Sequence, residues 1–137
     1  MMPSNSETWR RLIETAERLF ATEGVAAVSM RRINQEAGQK NTSALHYHFG
    51  SKDALLEAIV SYRMSGVNAR RLDMLRRYEA SDEPMDLYRA VSAIVFPLAE
   101  LLDDETGANR YIQFLSQAYS DPAIRKAHLG PGKYDEG

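Results

Sequence analysis

The hydrophobic residues of this chain recur mostly every three or four positions, and no stretch long enough for a strand alternates between apolar and polar residues. Spacing by three and four places apolar side chains on one face of a helix, whereas a half-buried strand needs alternation. The 137 residues include only 8 glycines and 5 prolines, so few positions interrupt the pattern. The pattern therefore predicts an all-α protein.

The first half of the chain is predicted to form two long helices with two short helices between them. The first helix begins at Ser4, where Glu7 completes a capping box, and ends before Gly24. Ser29 caps the second helix and Gly38 follows its end. The predicted ranges are residues 4–23, 29–37, 42–49 and 51 to about 78, with either Asn41 or Thr42 as the cap of the third helix.

The second half continues with helices beyond an acidic loop at residues 80–84. A helix over about 85–102 contains Pro97, which should bend it or split it in two. Residues 111–119 form another helix with an apolar face. Asp121 and Pro122 then provide an N-cap and a proline at the first position of a last short helix. Residues 130–137 are predicted to be a loop or tail.

The two short helices, with their tight polar turn and a long helix on each side, have helix-turn-helix geometry. In that motif the first short helix crosses the DNA backbone, and the second places its amino-terminal residues against base edges in the major groove. Short helix pairs also occur in proteins that do not bind DNA, so a helical protein-interaction module remains an alternative. The polar residues at the predicted tip are Lys40, Asn41, Thr42, Ser43 and His46.

The charge balance restricts where a polyanion could bind. Lys and Arg number 17 against 19 Asp and Glu, so the net charge of −2 excludes a chain that coats nucleic acid through bulk charge. Residues 1–63 hold 8 basic and 7 acidic residues, and residues 64–137 hold 9 and 12. The first half is therefore the better candidate for contact with DNA.

Several function classes are disfavoured by composition. No cysteine is present, which excludes disulfides, Cys-ligated zinc and iron–sulfur clusters and suits a cytoplasmic location. No stretch approaches the roughly 18 apolar residues of a membrane span.

We find no glycine-rich phosphate loop, no His-Glu-x-x-His and no readable partner for the histidines, so we expect neither enzymatic activity nor a cofactor. His46 and His48 lie two positions apart, about 200° around a helix, which argues against a shared metal ion.

Four short sequence runs lie within residues 9–59. They are LFATEG (19–24), VSMRRI (28–33), EAG (36–38) and LHYHFGSKDALL (45–56). Together they resemble the DNA-binding domain of the TetR family of bacterial transcriptional regulators. The resemblance covers a little under half of the chain.

The resemblance implies a homodimeric repressor that binds a palindromic operator in double-stranded DNA. It places Ser29 near a phosphate, Arg31 where it can reach a base or phosphate, and Lys52 near the DNA backbone. The alternative for Arg31 and Lys52 is that both are solvated surface charges without contact to DNA. The chain departs from the family pattern in two ways. It has one residue more before Leu45, and His46 stands where the family has a phosphate-contacting tyrosine, with Tyr47 one position later, so either residue could make that contact. The ring of Tyr47 could alternatively pack against the first helix.

We predict a DNA-binding domain over residues 4–50 and a helical effector-binding and dimerisation domain over residues 51–137, which is short for the family and is expected to be incomplete. A small-molecule effector would release the repressor from its operator. A ligand-independent architectural DNA-binding protein is the alternative. The candidate effector-pocket residues, which could equally be plain core, are Met85, Tyr88, Phe96, Tyr111, Phe114 and Gln117.

Overall fold

A computed structural model describes residues 7–41, 43–103, 105 and 107–128 of the chain. These residues form helices joined by turns and contain no strand, which confirms the all-α prediction. None of the helices described is both long and apolar enough to cross a membrane. The helices are α1 (Glu7–Glu23), α2 (Met30–Glu36), α3 (Ala44–Phe49), α4 (Lys52–Ala80), α5 (Leu87–Ala99), α6 (Asn109–Ser120) and α7 (Pro122–His128), with a 3-10 turn at Glu100–Asp103.

Side-chain caps fix several helix starts as the sequence predicts. The Ser29 hydroxyl accepts the N–H of Arg32, and the Ser51 hydroxyl accepts the N–H of Ala54, both at 3.1 Å. Asp121 accepts the N–H groups of Ala123 and Ile124 at the start of α7. Each oxygen satisfies a donor that the helix itself leaves without a partner. The predicted caps Ser4 and Thr42 lie outside the described residues.

Pro97 lies inside α5, close to the end of that helix. A proline has no N–H, so the carbonyl of Ala93 four residues earlier loses its helical partner. Arg71 of α4 supplies the missing donor, because its Nε lies 3.0 Å from that carbonyl oxygen. The α-helix stops two residues after Pro97 and tightens into the 3-10 turn. By contrast, α4 runs through Ser65 and Gly66 as one helix and ends at Ala80.

One buried cluster joins α1, α2, α3, the first half of α4 and α6. Helix α1 packs most extensively against α6 among the described helix pairs. The rings of Phe20 on α1 and Phe114 on α6 lie 6.3 Å apart, and Tyr111 stacks on Phe114 at 6.1 Å. The core of the helix-turn-helix region therefore includes a helix from beyond residue 50, the predicted domain boundary.

The core also contains an ion pair between α1 and α4. Glu17 is 1% exposed and accepts two hydrogen bonds of 2.7 Å from Arg63. Burial alone would lower the pKa of Arg63, but the hydrogen bonds and charge of Glu17 outweigh it and raise that pKa above its usual value. The pair joins the first helix to α4, the helix that leads away from the α2–α3 pair.

We expect Arg63→Ala to lower the free energy of unfolding by about 3 kcal/mol, because it leaves the Glu17 carboxylate buried without its partner. Chemical denaturation at pH 7 measures the change. Arg77→Ala is the matched control: that side chain is 71% exposed and pairs with Asp73, so its loss should cost under about 0.5 kcal/mol. Equal losses in the two variants would contradict the role given to the buried pair.

Candidate nucleic-acid interface

Helices α2 and α3 pack against each other and leave an open groove of about 470 Å³ between them. We call it the α2–α3 groove. It brings together four of the predicted DNA-binding residues, Arg31, Ser43, His46 and Tyr47. All four are exposed, so the groove carries a guanidinium, a hydroxyl, an imidazole and a phenol on a helix-turn-helix frame. The remaining lining residues are Met30, Asn34 and Leu45.

The neighbouring arginines of this region differ in their partners. Arg32 binds Glu23 through two hydrogen bonds, which raise the pKa of its guanidinium. Arg18 binds Glu36 at 3.3 Å. Arg31 is exposed and forms no ion pair within the described ranges. Arg31 is therefore the arginine of α2 whose donors are available to a phosphate or a base edge.

The turn before α3 is built by Asn41. Its side-chain oxygen accepts the N–H of Ser43 at 2.9 Å, and its carbonyl accepts the N–H of Ala44 at 3.2 Å. Helix α3 begins at Ala44, two residues later than the predicted start, because this turn uses the residues before it. Lys40 and Asn41 are exposed at the tip, as expected for DNA contact, and Thr42 lies outside the described residues.

The segment from His46 to His48 turns two side chains outward and one inward. Tyr47 is 76% exposed, so its ring does not pack against α1 as the alternative proposed. His46 is also exposed, whereas His48 is half-buried beside the rings of Tyr47 and Phe49. Both His46 and Tyr47 line the α2–α3 groove, so the prediction of one phosphate contact still applies to either. Across the residues that the structure describes, no three His, Asp or Glu side chains could hold a metal ion together.

Lys52 begins α4 next to the end of α3 and is only half-exposed. Its ammonium lies 5.7 Å from the centre of the Phe20 ring. Burial lowers the pKa of Lys52, and the charge of Asp53 acts in the opposite direction. Lys52 thus contacts the core ring with its charged end, a contact that the sequence pattern did not indicate.

The six candidate effector residues are divided between the core and the surface of the described part of the chain. Tyr111 and Phe114 are buried against α1. Met85, Tyr88 and Phe96 are exposed, and Gln117 is exposed beside Gly24. A different cavity of about 330 Å³ lies between α4, α5 and the 3-10 turn and includes none of the six. Its lining residues are Gly66, Val67, Arg70, Pro97, Glu100, Leu101 and Asp103.

The sequence of the chain is similar to a protein-family model and to known bacterial regulators. A family model described as bacterial regulatory proteins, tetR family, matches residues 12–59. The HTH-type transcriptional regulator BetI of Rhizobium meliloti (strain 1021) is 27% identical over 117 residues, which cover 85% of this chain and 55% of that protein. The uncharacterized HTH-type transcriptional regulator YerO of Bacillus subtilis (strain 168) is 31% identical over 84 residues, or 61% of this chain and 28% of that protein.

The chain spans about half the length of the first relative and under a third of the second. The matched residues 12–59 extend from α1 into α4 and contain the whole α2–α3 pair. Sequence match and observed geometry therefore coincide on the same segment. Residues 12–59 of the chain are thus similar to the tetR family of bacterial regulatory proteins.

Proposed function

We propose that this protein is a DNA-binding transcriptional regulator, without catalytic activity, that works in the bacterial cytoplasm. The observation that carries the proposal is the α2–α3 groove, where Arg31, unpaired among the described residues, is exposed together with three polar or aromatic side chains. In a helix-turn-helix, the face formed by these two helices meets the major groove. The names of both relatives, HTH-type transcriptional regulators, support the same function.

We further propose that the working form is a homodimer on a palindromic operator. Two recognition helices can enter successive major grooves on one side of DNA when they lie about 34–36 Å apart. Helix α5 offers a surface for a second copy, because its outer face is apolar and uncovered. The exposed apolar side chains of this face are Leu87, Tyr88, Val91, Ile94, Val95 and Phe96.

Repression released by a small-molecule effector is the regulatory mechanism we propose. The supporting observation is that α6 packs on α1, so a ligand that moves α6 also moves the core of the DNA-binding region. A ligand shifts such an equilibrium only as far as it prefers one state over the other. An effector that binds the displaced state better would lower operator affinity.

Selection of bound sequences from random duplex DNA tests the proposed function directly. We expect a palindrome whose half-sites are centred one helical turn apart, with an affinity that falls steeply as salt rises. Enrichment of a non-palindromic site would contradict the homodimer. Binding that selects no sequence would contradict a sequence-specific regulator and favour the architectural alternative.

We predict that Arg31→Ala weakens specific operator binding by about 1–3 kcal/mol, because it removes a guanidinium that can reach a base or a phosphate. Folding should stay normal, since Arg31 forms no ion pair with the described residues. A gel-shift titration measures the affinity. The matched control is Arg32→Ala on the same helix. The Arg32 side chain already binds Glu23, so its removal should lower operator affinity less. Unchanged affinity in a folded Arg31→Ala protein would show that Arg31 does not contact DNA.

Lys52→Ala is predicted to lower the magnitude of the log-affinity versus log-salt slope by about one per DNA-binding domain, because a lysine at the phosphate backbone releases counterions on binding. All DNA sequences should be affected alike. Arg77→Ala is the control, since Arg77 lies about 37 Å further along α4. An unchanged slope would mean that the ammonium of Lys52 stays on the Phe20 ring in the complex.

The effector mechanism predicts that some small apolar or aromatic compounds raise the melting temperature and weaken operator binding. Both effects follow from linkage, because the compound binds the native protein and prefers the DNA-free form. A thermal-shift screen finds the compounds, and operator titration with each of them measures the second effect. Compounds that stabilise the protein yet leave operator affinity unchanged would contradict effector control.

A further inference from the structure

Asn34 is a buried polar residue of α2 whose partners lie outside its own helix. It is 3% exposed, alongside Glu17 and Ser92 as the other buried polar or charged residues of the described part. A buried amide costs free energy unless its donors and acceptors have partners. The contacts of Asn34 therefore show what the side chain holds in place.

Both ends of the Asn34 amide bind the backbone around the turn to α3. The side-chain oxygen accepts the N–H of Leu45 at 3.2 Å, and the side-chain nitrogen donates to the carbonyl oxygen of Asn41 at 3.4 Å. Leu45 lies in the first turn of α3, and Asn41 lies three residues before that helix begins. One side chain of the first short helix thus holds the segment that leads into the second.

Helix α3 depends on such support from outside. It has six residues, too few for a stable isolated helix. Ser43, the residue before it, provides no side-chain cap. The first N–H groups of a helix need external acceptors, and Asn34 supplies one of them from eleven residues away. The placement of α3 on α2 therefore rests on this amide together with the buried Leu45 side chain.

We propose that Asn34 is a positioning residue for sequence recognition: it fixes the orientation of α3 against α2 and so sets which base edges the exposed side chains reach. The inference rests on the proposed DNA-binding function. Asn34 lies on the wall of the α2–α3 groove beside Arg31 and Tyr47, but at 3% exposure it does not reach DNA itself. Backbone phosphate contacts come from other residues and carry no sequence information.

The test compares Asn34→Ala with wild type in the full chain. The DNA probes are the duplex that wild type selects and a scrambled duplex of equal length. We expect the ratio of selected to scrambled affinity to fall by about tenfold or more, with scrambled affinity and salt slope unchanged. Amide hydrogen exchange should be about tenfold faster at Leu45 and unchanged at Leu19 in the core of α1.

Ile33→Val is the matched control, because it removes one methylene from the same helix and alters no hydrogen bond. It should leave the affinity ratio within about twofold of wild type. An unchanged ratio in Asn34→Ala, or an equal fall in Ile33→Val, overturns the proposal. If Asn34→Ala does not fold, Asn34→Ser replaces it in the test. The serine side chain is uncharged and too short to bridge Leu45 and Asn41, so the same outcomes are expected.

The wild-type arm separates the two hypotheses. If wild type selects no sequence, the proposed function fails, and the specificity role of Asn34 fails with it. If wild type selects a sequence and Asn34→Ala keeps the full affinity ratio, the proposed function stands and only the role of Asn34 is wrong.

Discussion

The packing of α1 is the constraint on which the other parts of this structure depend. Its apolar side chains meet α2 and α4 on one side and α6 on the other, and Phe20 lies where these contacts join. Two short helices cannot bury enough surface to fold alone. The α2–α3 pair is stable only because α1 and its neighbours complete the core beneath it. The candidate nucleic-acid interface is thus supported by helices from both halves of the chain.

Local sequence was sufficient for most of the helices and their caps, because these depend on neighbouring residues. Ser29 and Asp121 cap the helices that the sequence predicts them to cap. The contacts that the sequence pattern did not reveal join residues far apart in the chain. They include Phe114 on Phe20, which places a predicted pocket residue in the core, and Arg71 on the carbonyl that Pro97 leaves without its helical partner.

The candidate interface could be located from sequence but not resolved into individual roles. Spacing identified the helix pair and its exposed polar tip. The roles of individual residues depend on their contacts in the folded protein. Glu23 binds Arg32 and leaves Arg31 available, and the ammonium of Lys52 lies over the ring of Phe20. Asn34 went unnoticed because an asparagine on a short helix is usually exposed, and only the tertiary fold shows that its amide bridges two helices.

Under the proposed effector mechanism, the buried contacts also limit how a signal could travel. Reversing a two-state population from 99:1 to 1:99 requires about 5.5 kcal/mol of differential binding. A motion that broke the Glu17–Arg63 pair or exposed Phe114 would widen the free-energy gap between the two states and so raise the differential binding that the effector must supply. An effector therefore gains most by moving α1, α6 and the first half of α4 together as one body. Such a motion changes the separation of two recognition helices in a dimer while each α2–α3 groove keeps its own geometry.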